Sequence, residues 1–246
     1  MPIHDWTRVP VGTFHHFHQH WVPELCARLN EGVLPGEFYA MVEQVAGSLE
    51  PDVLTLQANG DGSGDGGTSP LPGTIALALE RPRVRFTAQT EMEGYVRKQS
   101  TIVIRHGSDD RIVALVEVVS HGNKSSRHAI SSFVEKAGEA LCRGYHLLII
   151  DLHPPTARDP QGIHGAIWSE IEDDSYVAPS DKPLTLAAYE ASSPKRAYVE
   201  PVAVGDALID MPLFLAPEQY VKVPLEATYQ AAYRHVPLRW RRVLEG

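Results

Sequence analysis

The sequence predicts an α/β fold in which helices flank one mixed β-sheet. The main observation is a strand–helix–strand succession over 111–119, 126–143 and 145–151. We expect its two strands to be parallel neighbours joined by a right-handed crossover. Other β-branched runs surround this unit, and a turn at Asp109-Asp110 predicts an antiparallel hairpin. Hydrophobic residues fill 43% of the 246 positions, which is enough for a sizeable core.

The N-terminal part predicts a helix followed by strands. Apolar residues recur every three or four positions over 12–31, and Pro23 predicts a kink or a break in this helix. The run 38–45 predicts a strand that carries Glu43 among apolar neighbours. A second strand is predicted at 51–57.

The middle of the chain predicts a glycine-rich loop and then three strands. Residues 59–67 alternate Gly and Asp, a composition that predicts a flexible loop. The strands follow at 83–89, 95–105 and 111–119. In the helix over 126–143, Ser125 or Ser126 can cap the first turn and Gly144 can end the last one.

The C-terminal part predicts a strand pair at 183–191 and 195–204 and a helix at 224–234. Strand 145–151 ends just before Pro154-Pro155. We find no linker composition that would separate a second domain, so we predict a single domain over 1–246.

Charge and cysteine content limit the possible partners and compartment. The net charge of −9 argues against non-specific nucleic-acid binding by the whole surface. Residues 81–127 are an exception, with nine basic and five acidic side chains, which fits either an anionic substrate or a solvated mixed-charge surface. Only two cysteines, no signal-peptide pattern and no run of ~18 apolar residues predict a cytoplasmic protein without a membrane span.

One carboxylate stands inside an apolar strand and requires an explanation. Glu117 lies in the run Leu-Val-Glu-Val-Val-Ser over 115–120, where a charge is costly unless it is paired or binds a metal. Asp52, which follows Pro51, is its expected partner. Two oxygen ligands on adjacent strands suit Mg²⁺ or Mn²⁺, although Asp52 can also simply start a strand or cap a turn.

The order helix, strand, strand with Asp52, strand with Glu117, helix, strand resembles the α-β-β-β-α-β core of the PD-(D/E)xK nuclease superfamily. This resemblance implies a restriction-endonuclease-like domain with a C-terminal extension from about 155. It also implies that Asp52 and Glu117 hold the metal and that Glu43 is an additional acid. The lysine of the motif would stand at position 119, which is Val119 here, so Lys124 or Lys136 would replace it.

A second resemblance covers most of the chain. The segments His4-Asp5-Trp6, Pro51-Asp52-Val53, Glu117 to Lys124, and Gly144 to Leu152 resemble the bacterial domain-of-unknown-function family numbered 4058. The Glu-Val-x-Ser element with Asn123-Lys124 is also similar to the Uma-type family of predicted restriction endonucleases. These resemblances imply a nuclease-like fold without supplying an activity.

Histidines offer a different metal chemistry. His16 and His20 are four residues apart and share one face of the predicted helix, as in a two-histidine metal pair. No third ligand lies nearby in sequence, so surface or capping histidines are the favoured interpretation. No Gly-x-Ser-x-Gly motif is present.

The leading functional prediction is a Mg²⁺- or Mn²⁺-dependent phosphodiesterase that acts on nucleic acid. Its predicted site comprises Asp52 and Glu117, with Glu43 as an additional metal ligand and Lys124 or Lys136 as the catalytic lysine. The alternative is a catalytically inactive nuclease-fold protein that serves as a binding or scaffold module. A histidine-based zinc protein is a third possibility.

Overall fold

A six-stranded mixed sheet forms the centre of the structure, a computed structural model that describes residues 2–45, 99–172 and 176–246. The strands are arranged in chain order. Neighbouring strands are antiparallel except β3 and β4, which are parallel. The strand bounds are β1 Phe38–Val45, β2 Gln99–His106, β3 Ile112–Val118, β4 His146–Asp151, β5 Leu184–Glu190 and β6 Arg196–Val202.

Helices and a β-hairpin cover the two faces of this sheet. The helices are α1 Val11–Arg28, α2 Arg127–Cys142, α3 Gly162–Trp168, α4 Leu225–Tyr233 and α5 Leu238–Leu244. The hairpin consists of β7 Met211–Ala216 and β8 Gln219–Val223. Short helical turns lie at Trp6–Arg8, Leu29–Val33 and His121–Lys124. None of the helices in the described ranges is long and apolar enough to cross a membrane.

The predicted strand–helix–strand unit is confirmed as β3, α2 and β4. The Ser126 hydroxyl caps α2 by accepting a hydrogen bond from the Ala129 amide at 3.1 Å. The helix ends before Gly144, whose φ of +82° is a conformation that favours glycine. The strand pair β5–β6 and helix α4 also follow the sequence prediction.

Helix α1 continues through Pro23, where the sequence predicts a kink or a break. A break is therefore absent. Trp21, Val22 and Leu25 around the proline are at most 2% exposed. We attribute the continuity of the helix to their burial, which offsets the hydrogen bond that proline removes.

Alternating strand residues face two hydrophobic layers. Val116 and Val118 of β3 pack in the layer that contains α1, α4 and the hairpin. Leu115 and, just beyond the strand, Val119 pack in the layer that contains α2 and α3. Side chains alternate along a strand, so Glu117 faces the α2 layer.

Several predictions lie outside the described residues, namely the strands at 51–57 and 83–89, the loop at 59–67 and Asp52. Residues after 155 contribute β5 and β6 to the central sheet. The cysteines, Cys26 and Cys142, carry free thiols.

Candidate functional site

Three strands place Glu43, Thr101 and Glu117 in one row on the α2 face of the sheet. Glu43 of β1 is the Cα partner of Thr101 in β2. The antiparallel register that pairs Ile102 with Val116 puts Thr101 beside Glu117 of β3. Directly opposed residues point to the same face of a sheet. The Thr101 hydroxyl donates a hydrogen bond of 2.6 Å to Glu117 Oε1.

Helix α2 supplies the counter-charge for Glu117. The Lys136 ammonium lies 2.8 Å from Glu117 Oε1 and donates a second hydrogen bond, of 3.1 Å, to Thr101 Oγ1. The side chains of Lys136 and Glu117 are only 18% and 9% exposed. The carboxylate predicted to need a partner therefore has one, and the partner is a lysine.

Val119 stands two residues after Glu117, where the resemblance to the nuclease superfamily implies a lysine. Its side chain is fully buried among the apolar residues of the α2 layer. Of the two lysines proposed as substitutes, Lys136 contacts Glu117. Lys136 is three residues after Phe133 and four before Ala140, both buried, so helical periodicity contained a signal for its inward position.

Lys124 belongs to a different cluster, at the end of β4. Its ammonium lies 2.7 Å from Asp151 Oδ2 and 2.9 Å from Asp159 Oδ2, and donates a 3.0 Å hydrogen bond to the His153 carbonyl oxygen. Lys124 is 3% exposed, so it is not a surface lysine. The structure thus brings together Glu117 and Lys136 and directs Lys124 to Asp151 and Asp159.

The surroundings of Lys124 are strongly desolvated. Burial raises the pKa of the Asp151 carboxyl, although Lys124 opposes this shift. Burial, reinforced by the Lys124 charge, lowers the pKa of His153 to about 3. Burial also lowers the pKa of His18 on α1, which donates a 2.9 Å hydrogen bond to the Val118 carbonyl oxygen. Both imidazoles are therefore neutral at neutral pH.

Glu43 is held apart from Glu117 by its own partner. Arg105 of β2 donates two hydrogen bonds to its carboxylate, of 3.0 and 3.2 Å. These bonds raise the pKa of the guanidinium. Thr101 lies between Glu43 and Glu117 in the row. The predicted role of Glu43 as an additional metal ligand would require this ion pair to open.

The described residues alone do not fit a divalent cation. Glu117 offers one carboxylate, and its Oε1 already accepts hydrogen bonds from Thr101 and Lys136. Across the ranges that the structure describes, no group of three or more His, Cys, Asp or Glu side chains is arranged to hold a metal. A two-carboxylate site at Glu117 therefore depends on Asp52, which lies outside those ranges.

A small cavity and a large recess border α2 among the described residues. A cavity of about 10 Å³ beside Glu117 and Lys136 is comparable to a single water molecule. A recess of about 990 Å³ lies between α2 and α3. The acidic residues of its lining outnumber its basic ones, which disfavours a polyanion there: Glu135, Glu139, Asp159 and Glu170 against Arg158 and Lys195.

The histidine pair on α1 gains a neighbour that is distant in sequence. His16 donates a 3.1 Å hydrogen bond to the backbone carbonyl oxygen of His235. The rings of His20 and His235 are stacked, with centroids 4.3 Å apart and planes 3° apart. His16 is exposed, as the surface interpretation predicts, and these three imidazoles do not form one of the metal-holding groups sought in the described part of the chain.

Sequence reasoning missed Thr101 and Asp159. The β2–β3 register places Thr101 beside Glu117. The loop after β4 brings Asp159 to the Lys124 ammonium. Neither residue is marked by a local pattern in the sequence.

Comparison with known proteins identifies no relative, because no protein-family model, curated protein or solved structure matches this chain. The chemistry of the site is therefore inferred from its own side chains.

Proposed function

We propose that this protein is a divalent-metal-dependent phosphodiesterase with a restriction-endonuclease-like core and that its substrate is nucleic acid. The observation that carries the proposal is the 2.8 Å contact between the Lys136 ammonium and the Glu117 carboxylate. It joins the acid and the lysine that such chemistry requires, although the lysine comes from α2 and not from position 119.

The arrangement of the elements supports this core. The order α1, β1, β2, β3, α2, β4 is the expected α-β-β-β-α-β order, with an antiparallel β1–β2–β3 meander and β4 parallel to β3. The second strand of the meander is Gln99–His106, whereas the sequence interpretation gave that place to 51–57. Participation of Asp52 therefore remains a prediction of the proposal.

Each residue has a defined chemical role in the proposed reaction. Glu117, together with Asp52, would hold Mg²⁺ or Mn²⁺. Such a cation, when bound, stabilises charge on a phosphate and lowers the pKa of its bound water. The Lys136 ammonium would stabilise the charge that develops on the phosphate during attack. The free thiols of Cys26 and Cys142 support a reducing, cytoplasmic location as part of the same proposal.

Nuclease assays on single- and double-stranded DNA and RNA, with Mg²⁺ or Mn²⁺, test this function. We expect cation-dependent cleavage by the wild type and a loss of about 100-fold or more in Glu117→Gln and Lys136→Met. Glu135→Gln, an exposed carboxylate next to Lys136 in sequence, is the matched control and should retain full activity. Unchanged cleavage by Glu117→Gln would refute the assigned site.

A catalytically inactive nuclease-fold binding or scaffold module is the second candidate. It is favoured by two observations: the described residues place one carboxylate, that of Glu117, at the Lys136 ammonium, and Glu43 is engaged with Arg105. This candidate predicts no cleavage above background by the folded wild type with any of the four substrates and either cation. Cleavage that is abolished in Glu117→Gln would exclude it.

A further inference from the structure

Thr101 makes two hydrogen bonds whose directions are fixed. Its hydroxyl group has one proton and two lone pairs. The Lys136 ammonium can only donate, so the 3.1 Å bond from Nζ ends on a lone pair of Oγ1. The hydroxyl proton is then available for Glu117 Oε1 at 2.6 Å. The three side chains form a closed triangle in which each bond supports the other two.

The strand residues directly beside Glu117 are one polar residue, Thr101, and one apolar residue, Ile149. Thr101 is fully buried. On the opposite side of Glu117, the Cα partner in β4 is the apolar Ile149. Glu43, on the far side of Thr101, is bound by Arg105. Of the strand residues directly beside Glu117, Thr101 is thus the one that can hold the carboxylate.

We propose that Thr101 is a positioning residue that fixes the Lys136 ammonium and the Glu117 carboxylate relative to each other. Its role in the reaction rests on the function proposed above. A lysine side chain has many rotamers and one carboxylate contact alone leaves it several orientations. The second acceptor, on Thr101, selects one of them.

The variants Thr101→Val and Thr101→Ser distinguish a role of the Thr101 hydroxyl group in positioning Lys136 from a role of its side-chain shape in packing. Valine keeps the branched shape but has no hydroxyl group, whereas serine keeps the hydroxyl group. Thr185→Val, at a threonine of β5 that is 2% exposed, is the matched control for the loss of a buried strand hydroxyl. Thermal unfolding of each variant establishes that it is folded before other measurements are compared.

The first measurement does not depend on activity. We expect an amine-acylating reagent, with labelled sites quantified by mass spectrometry, to modify Lys136 several-fold faster in Thr101→Val than in the wild type. The exposed Lys195 serves as the internal standard. Thr101→Ser and Thr185→Val should retain the wild-type rate. An unchanged Lys136 rate in folded Thr101→Val would overturn the proposal.

The second measurement concerns catalysis. If the wild type cleaves nucleic acid, we expect about tenfold lower kcat in Thr101→Val with an unchanged KM, because misplacement of a catalytic group acts on the chemical step. Thr101→Ser should restore kcat, and equal activity of both variants and the wild type would contradict a catalytic role for the positioning. Faster acylation of Lys136 without cleavage by any variant would support positioning by Thr101 while refuting the phosphodiesterase.

Discussion

Glu117 and Lys136 depend on each other for stability. Each would be a partly desolvated single charge without the other, since their side chains are 9% and 18% exposed. Removal of one partner of a buried pair commonly costs more than removal of both. We therefore expect this ion pair to contribute directly to the stability of the fold.

A double-mutant cycle measures this dependence. We expect Lys136→Met to lower the free energy of unfolding by about 2 kcal/mol, less than for fully buried pairs because Lys136 keeps some exposure. The double variant Glu117→Gln/Lys136→Met should lose less than the sum of the single variants, as measured by urea unfolding. Strict additivity would show that the two charges are not coupled.

Sequence alone predicts Glu117 as a buried charge that needs a partner, because an isolated acid in an apolar strand is a local signal. It does not decide between Lys124 and Lys136, since that choice depends on how α2 and the loop after β3 pack on the sheet. Thr101 could not be predicted because its place beside Glu117 is set by the β2–β3 register.

Among the elements, those with strong local signals were predictable, whereas α3 and the β7–β8 hairpin were not. Helix α2 has an apolar stripe and capping residues at both ends, all of which are local signals. Helix α3 has seven residues, including Gly162 and Gly165, and no side-chain cap. The β7–β8 hairpin turns at Glu218 with a φ of +61°, where sequence rules expect glycine or asparagine. Tertiary packing therefore determines these elements.

We expect substitution by alanine to have opposite effects on stability at two glycines of α2 and its C-terminal end. Gly138 lies within the helix and an added Cβ would meet no atom within 4 Å, so Gly138→Ala should stabilise the protein by about 0.5 kcal/mol. Gly144 has equally open surroundings but a φ of +82°, so Gly144→Ala should destabilise it by about 1 kcal/mol. Urea unfolding of both variants checks the signs. Equal effects would contradict the assigned end of α2.

At the scale of the whole molecule, buried histidines couple stability to pH. Burial lowers the pKa of all five buried imidazoles, those of His4, His18, His146, His153 and His164. A histidine with a lowered pKa in the folded state binds protons preferentially when the chain is unfolded. Stability is therefore complete above the unfolded pKa of 6.5 and decreases as the pH falls toward the folded value.

His153 allows this effect to be measured at one residue. Its folded pKa of about 3 predicts a loss of about 2 kcal/mol in the free energy of unfolding between pH 7.5 and pH 5. In His153→Gln the decrease over this range should be smaller by that amount, as measured by urea unfolding at both pH values. The exposed His128→Gln is the control, and an equal decrease in His153→Gln and the wild type would exclude His153 as a source.

The chain order of the sheet has a consequence for how the protein assembles. Five residues separate β2 from β3 in the sequence, whereas 53 residues separate β1 from β2. Pairings between residues that are close in sequence form at a lower entropic cost than pairings between distant ones. We therefore expect β1, an edge strand of the described sheet, to join last during folding and to detach first. Faster hydrogen exchange of its amides than of those in β3 and β4 would reveal this order, and Glu43 would reach Arg105 only in the final step.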